Sequence, residues 1–240
     1  MSFKATIKRS EAAVGMIADF RSVVAAASSF RTRRKIKSYC ARHKIRLLHL
    51  GAGHSTIAGW IGTDYRPSGK GILTLDVTKP FPIESGSFDF IFCEHMIEHI
   101  RYPQAAMMLR ECNRVLRPGG VVRIATPDLA VLLSLYSSDA GDDGNAYIKW
   151  ITDNYCEEIP SYAPIFVVNN AFRNWGHKFL YDHDCLRSLL LDSGFANVEC
   201  CEVHQSKHAQ LRDLERHGEN TGNEAMNRFE TMVLEATRTE

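Results

Sequence analysis

LLHLGAGHSTIAGWIGTDY, Leu47 to Tyr65, is the stretch from which the fold can be read. It opens on an apolar run, Leu47, Leu48 and Leu50, long enough only for a buried strand. The run breaks at Gly51-Ala52-Gly53, where small residues let the backbone turn sharply and approach a ligand. A second short strand, Trp60 to Thr63, ends in Asp64, a carboxylate at a strand's carboxyl end. In a parallel sheet that is where ligands bind and where a ribose diol is held by paired hydrogen bonds. A nicotinamide fingerprint would need a third glycine where Thr56 stands and an acid roughly 20 residues on, so the stretch outlines a nucleoside site without being that motif. Asp64 also comes too soon after Gly53 for a full crossover helix.

Working outward, the chain alternates strands with helices. Gly71 to Asp76 (GILTLD) is a third short apolar run ending in an acid, and Phe88 to Cys93 (FDFIFC) a fourth, with Glu94 and His95 at its end. Pro80, Pro82 and Gly86 place a loop between them. A helix begins near Pro103, with Ala105, Met108, Leu109, Cys112, Val115 and Leu116 as its apolar stripe, and Pro118-Gly119-Gly120 stops it. Val121 to Ala125 supplies a fifth strand before Thr126-Pro127-Asp128. This alternation predicts an α/β fold with a parallel sheet and right-handed crossovers. Gly51, Gly53, Asp64, Asp76, Glu94, His95 and Asp128 then fall on one sheet edge, around the crevice where strand order reverses.

Composition bounds the rest. At 240 residues, 45% apolar and 24% charged, the chain is an ordinary globular protein with one sizeable core. It lacks an apolar run long enough to span a bilayer and a clean signal core, so the expected location is the cytoplasm. Seven cysteines without a C-x-x-C pair argue for reduced thiols rather than disulfides or a thiolate zinc site, and no metal is expected. Net charge is +1, but Met1 to Arg46 carries twelve Lys and Arg against two acids. Residues 1–45 therefore read as a basic helical N-terminal arm, suited to peripheral contact of 1–46 with anionic membrane. A transit peptide is a second reading of the same segment. Nothing reads as a sequence-specific nucleic-acid module.

The blocks LHLGAG, GWIGTDY, LTLDVTKPFPIESGSFDFIFCEHMIEHI and LRECNRVLRPGGVVRIATPDL resemble the class I S-adenosylmethionine-dependent methyltransferases, in the branch of predicted methyltransferases found near polysaccharide genes. The resemblance covers about Leu47 to Leu129 and, more loosely, Gly176 to Phe195. It implies a Rossmann-like doubly wound sheet of about seven strands, mostly parallel with an antiparallel C-terminal hairpin at Asn197 to Val203 and Thr231 to Thr237. It also implies a methyltransferase domain at 46–240 with S-adenosylmethionine as cofactor. Gly51, Ala52 and Gly53 would lie under the methionine part, Asp64 would hold the ribose with Tyr65 beside the adenine, and Asp76 would accept from the adenine amino group beside Val77. The Cys93 to Glu94 backbone would receive the methionine ammonium.

The acceptor implied is a small molecule or a sugar, with a hydroxyl or an amine methylated. Ala130 to Trp175 is too long for a plain connection and is rich in aromatics, so 130–175 reads as a helical cap that selects it. A hydroxyl acceptor needs a base, and His95 is the first candidate and His177 the second; His99 follows the fourth strand, Asp128 the fifth, and Tyr181 stands with His177 in the later motif. Two other classes fit parts of the sequence. His95-Met96-Ile97-Glu98-His99 spells the H-x-x-E-H pattern of zinc peptidases, and a non-catalytic S-adenosylmethionine-binding scaffold would share every cofactor residue.

Overall fold

A computed structural model describes residues 28–137, 140–159 and 161–240, so most of the basic arm, 1–27, lies outside the described residues. Seven strands form one sheet in the order β3-β2-β1-β4-β5-β7-β6. They are β1 (Leu47–Leu50), β2 (Ile61–Asp64), β3 (Leu73–Thr74), β4 (Phe88–Glu94), β5 (Leu116–Pro127), β6 (Phe195–Cys201) and β7 (Thr231–Arg238). β1 to β5 pair in parallel, and β7 runs antiparallel to both β5 and β6. Chain direction across the sheet reverses at β1 and β4, which opens the crevice expected for a ligand at their carboxyl ends.

The first crossover is the unusual one. No helix joins β1 to β2, and residues 51–60 are turns. Helix α1 (28–42), from the part of the arm that is described, packs here instead: Ile36 and Tyr39 are buried in the main core with Leu48 and Phe88. Tyr39 Oη donates to the Gly59 carbonyl (2.6 Å), with the Leu47 carbonyl at 3.2 Å, and accepts from the Leu47 amide (2.9 Å), tying the start of β1 to the end of the short connection. The basic side chains Arg31, Arg33, Arg34, Lys35 and Lys37 stay exposed.

Helix α2 (Tyr102–Val115) has Pro103 in its first turn and buries Ala105, Met108, Leu109, Cys112 and Val115, the stripe expected of an amphipathic helix on a sheet. Its polar face also works: Arg114 binds Glu111 and the carbonyls of Phe81 and Ile83, and Glu111 accepts from the Phe81 amide, so one i,i+3 pair holds the proline loop. β5 begins earlier than expected, pairing Leu116 with Phe88 before a register shift, so Pro118-Gly119-Gly120 is an irregularity within the strand rather than a spacer before it.

Helices α3 (Leu129–Ser134), α4 (Gly141–Tyr155) and α5 (Pro164–Arg173) build the cap and share a small core of their own, including Leu132, Tyr147, Ile151 and Val167. Helix α6 (His183–Asp192) returns to the main core through Leu186, Leu189 and Leu190. β6 starts at Phe195, two residues before the expected Asn197. The connection from β6 to β7 is no tight hairpin: it carries α7 (His217–Thr221) and α8 (Glu224–Glu230), and β7 inserts between β5 and β6. All seven cysteines are free. Among the described residues no helix is long and apolar enough to cross a membrane.

Candidate active site

Two cavities open along the carboxyl edge of the parallel strands. The first, about 330 Å³, is lined by Gly51, Asp64, Tyr65, Asp76, Val77 and Met96, and by His99 and Ile100 at its inner end. The second, about 320 Å³, lies under the cap and is lined by His95, Glu98, His99, His177, His217 and Glu230 with Trp150, Tyr155 and Trp175. Both volumes suit small ligands. His99 belongs to both walls.

In the first cavity the turn after β1 is built for close approach. Gly51 has φ +70°, and a Cβ there would meet Met96 Cγ at 2.5 Å, so no other residue fits without moving that side chain. The Gly53 amide donates to Asp64 Oδ2 (3.0 Å) and the Arg66 amide to Oδ1 (2.7 Å), which fixes the carboxylate at the end of β2. Asp76 accepts from the Thr78 amide and hydroxyl (3.0 and 2.6 Å) and pairs with Lys79 (3.1 Å). Burial opposes its ionisation, but these donors outweigh it and hold the carboxyl below its ordinary value.

Of the residues expected to bind cofactor, Gly51, Asp64, Tyr65, Asp76 and Val77 line this cavity, and Ala52 and Gly53 lie in the turn that shapes it. Cys93 and Glu94 do not line it. Cys93 is buried in the core, and the Glu94 carboxylate turns away to accept from the Arg216 and His217 amides (each 2.9 Å), capping α7. Met96, His99 and Ile100 hold that end of the cavity instead.

The second cavity gathers histidines around one carboxylate. Glu98 is fully buried in a 3₁₀ turn (Ile97–His99) just after β4; its Oε2 accepts from Thr126 Oγ1 (3.0 Å) and its Oε1 has no hydrogen-bond partner. His95 Nδ1 stands 3.5 Å and His99 Nε2 3.9 Å from that Oε1. Burial alone would lower the His95 pKa, but Glu98, with Glu230 and Glu94 beyond it, raises it above the ordinary value. His95 stacks on His217 with centroids 3.7 Å apart. Burial and the adjacent His95 together push His217 down to about 3.

The two candidate bases differ in what they have left to give. Both ring nitrogens of His95 face protein partners: Nε2 meets Thr231 Oγ1 (3.1 Å), and Nδ1 stands in charge contact, without a hydrogen bond, 3.5 Å from Glu98 Oε1. His177 uses Nδ1 on the Ala171 carbonyl (2.7 Å), leaving Nε2 with a free lone pair; burial lowers its pKa. The loop carrying His177 is pinned to the β4 end by the Lys178 and Phe179 amides, which donate to the Glu98 carbonyl (2.7 and 3.2 Å). Asp128 instead caps α3 through the Ala130 amide, and Tyr181 is buried outside both cavities. Of the cap aromatics, Trp150, Tyr155 and Trp175 face the cavity, while Tyr147 packs behind it against Glu230.

The H-x-x-E-H stretch is not a peptidase helix. His95 has a left-handed φ of +42° and only Ile97 to His99 are helical, as a 3₁₀ turn, so the two histidines do not share one α-helical face. His217, Glu230 and Thr126 were not legible as site residues in the sequence. The first two arrive because antiparallel β7 starts at the edge where β4 and β5 end.

A seven-stranded sheet of this order, with an acid-lined cleft where β1 and β4 diverge, defines the class I methyltransferase fold. Residues 54–124, under half of the chain, match the family described as methyltransferase domain. The sequence matches no curated protein. Among solved structures it is similar to the CurJ carbon methyltransferase (16% identity, 82% of this chain and 49% of that one, TM-score 0.44). It is similar also to an S-adenosylmethionine-dependent methyltransferase from Archaeoglobus fulgidus (14%, 88% and 94%, 0.49). A third is phosphoethanolamine N-methyltransferase 2 of Haemonchus contortus in complex with S-adenosylmethionine (14%, 88% and 53%, 0.48). The chain thus spans about half the length of the CurJ and Haemonchus chains.

Proposed function

We propose that the protein moves the methyl group of S-adenosylmethionine to a hydroxyl, or an amine, of a small-molecule or sugar acceptor, with polysaccharide or glycolipid assembly as its setting. One observation carries the reading: an acid-lined cavity and an aromatic, histidine-rich cavity meet at His99. A nucleoside in the first would present its sulfonium to an acceptor in the second.

In this reading Asp64 holds the ribose diol, Asp76 the adenine amino group, Tyr65 and Val77 the adenine faces, and the Gly51 to Gly53 turn admits the methionine part. The Cys93 to Glu94 main chain is the proposed receiver of the ammonium. Trp150, Tyr155 and Trp175 supply flat apolar faces of the kind that pack on sugar rings. Transfer itself needs in-line placement and exclusion of water. Bound in the first cavity, S-adenosylmethionine would supply a methyl carbon to the acceptor oxygen, its carbon–sulfur electron pair returning to sulfur, and the hydroxyl proton would pass into the histidine cluster. His95 and His177, both on the second cavity, are the proposed receivers of that proton. The exposed basic face of α1 supports peripheral contact with anionic lipid.

Calorimetric titration with S-adenosylmethionine and S-adenosylhomocysteine tests this. Both compounds are expected to bind, and Asp64→Ala to weaken them by about 1 to 3 kcal/mol, the loss of a charged hydrogen bond. If the folded protein takes up neither compound, the reading is wrong.

A further inference from the structure

We infer that Glu98, His99 and His177 form a binding site for a divalent first-row transition cation, set in the wall between the two cavities. One ligand atom from each residue lies within 4.8 Å of the other two. Zinc bonds of about 2.0 to 2.2 Å bring tetrahedral ligand atoms to about 3 to 3.5 Å from each other, so closure needs roughly 1 Å of movement. His99, whose side chain is 37% exposed, is free to supply it.

Three features favour a cation over a chance cluster. The Glu98 side chain is fully buried, yet its Oε1 lacks a hydrogen-bond partner and faces the imidazoles. His95 Nδ1, at 3.5 Å, gives it a charge contact but no hydrogen bond, and a buried carboxylate oxygen left in that state favours a further positive charge. The other Glu98 oxygen is held by Thr126 Oγ1 and His177 Nδ1 by the Ala171 carbonyl, the outer hydrogen bonds that orient ligating groups and leave the ligating atom bare. Two imidazoles with one carboxylate suit zinc, iron, manganese or cobalt better than magnesium or calcium, which prefer oxygen alone.

With only three protein ligands the site keeps open positions on the cavity side, as catalytic rather than structural sites do. Those positions would receive oxygens of the acceptor, and vicinal hydroxyls, able to chelate, are the substrate class that fits. Cation binding stands on the geometry alone; this use of it rests on the methyltransferase reading, and with the cation bound His177 Nε2 is a ligand, so the acceptor proton passes to His95 instead. The H-x-x-E-H stretch thus contributes its glutamate as a ligand rather than as a base, and takes its second histidine from the loop before α6.

Chelator-dialysed protein titrated with Co²⁺ alone, followed by visible absorption and calorimetry without cofactor or acceptor, separates the two claims. One equivalent is expected to bind with the bands of mixed nitrogen and oxygen coordination. His99→Ala and His177→Ala should each lower the affinity by more than about 100-fold, beyond the loss typical of an outer partner. Both rings are partly exposed, so these variants are expected to fold, as circular dichroism would verify, where Glu98→Gln need not. His217→Ala should keep the cobalt. The site is overturned if wild type binds no cobalt, if both ring variants bind it unchanged, or if His217→Ala alone abolishes it. Cobalt binding by a protein that takes up no S-adenosylmethionine would keep the site and remove the methyltransferase reading.

Discussion

His49 sits one residue inside β1 from the ligand turn, 4% exposed, with its ring against Phe92 and its Nδ1 without a partner. Burial drives its pKa down from 6.5 to about 4, with only a partial opposing pull from Asp64. Between these values the unfolded chain binds a proton that the folded chain refuses, so stability rises with pH across this window and falls as pH drops through it. From about pH 7 to about pH 5 the loss attributable to this ring is roughly 2 kcal/mol. Urea denaturation at the two pH values should show it in wild type and show it diminished in His49→Leu. An equal acid loss in both proteins would mean that the ring titrates normally. Nothing in LLHL marks His49 as buried neutral beyond its place in an apolar run. Gly51, two residues on, was legible, because the need for small residues at a strand-to-ligand turn is local.

At the scale of the element, β5 carries a fully buried arginine in an apolar run. Arg123 Nε donates to Glu215 (2.6 Å) and Nη1 to Glu235 (2.7 Å), and the guanidinium also meets the carbonyls of Glu202 and Gln205. Glu235 is its direct cross-strand neighbour on β7. Glu215 belongs to the segment after β6 that covers this sheet face, so one side chain fastens the late part of the chain to the early part. Arg123→Ala leaves two carboxylates buried without a counter-charge and should destabilise by about 3 to 5 kcal/mol. Replacing Arg123, Glu215 and Glu235 together with apolar residues of similar volume should recover most of that. Chemical denaturation of both proteins measures it, and a loss below about 1 kcal/mol for Arg123→Ala would show that the cluster is wet. The single charges in VVRIA and VLEAT are visible in the sequence; that they meet is not, since pairing depends on β7 entering beside β5.

Across the whole molecule the cavities are served by different parts of the chain. Apart from the turn after β4, which lines both, the first is shaped by the turns after β1, β2 and β3, the second by the cap together with the segment before β7. Trp175→Ala, which removes an aromatic wall from the second alone, should raise the acceptor KM by roughly fivefold, the worth of an aromatic contact of about 1 kcal/mol. The same change should leave the affinity for S-adenosylmethionine as it was. Steady-state kinetics set beside calorimetry would separate the two effects, and equal weakening of both ligands would refute the division of labour.

What the sequence alone determined is the part built from neighbours along the chain. The short strands, the glycine turn, the acids at strand ends, the stripe of α2 and the lack of a helix between β1 and β2 all follow from spacing within about 20 residues, where periodicity and turn chemistry act. Those signals also carried the acids and glycines of the first cavity, Gly51, Asp64 and Asp76. Tertiary structure decided the second cavity. Glu98, Thr126, His177, His217 and Glu230 are scattered over more than half of the chain, and they converge only because the cap folds back and an antiparallel strand starts where two parallel strands end. Which nitrogen of a histidine is free, and whether a carboxylate is left without a donor, depends on partners that no local pattern specifies. His95 and His177 look equivalent as residues and differ in the fold, one facing protein partners at both nitrogens and the other at one.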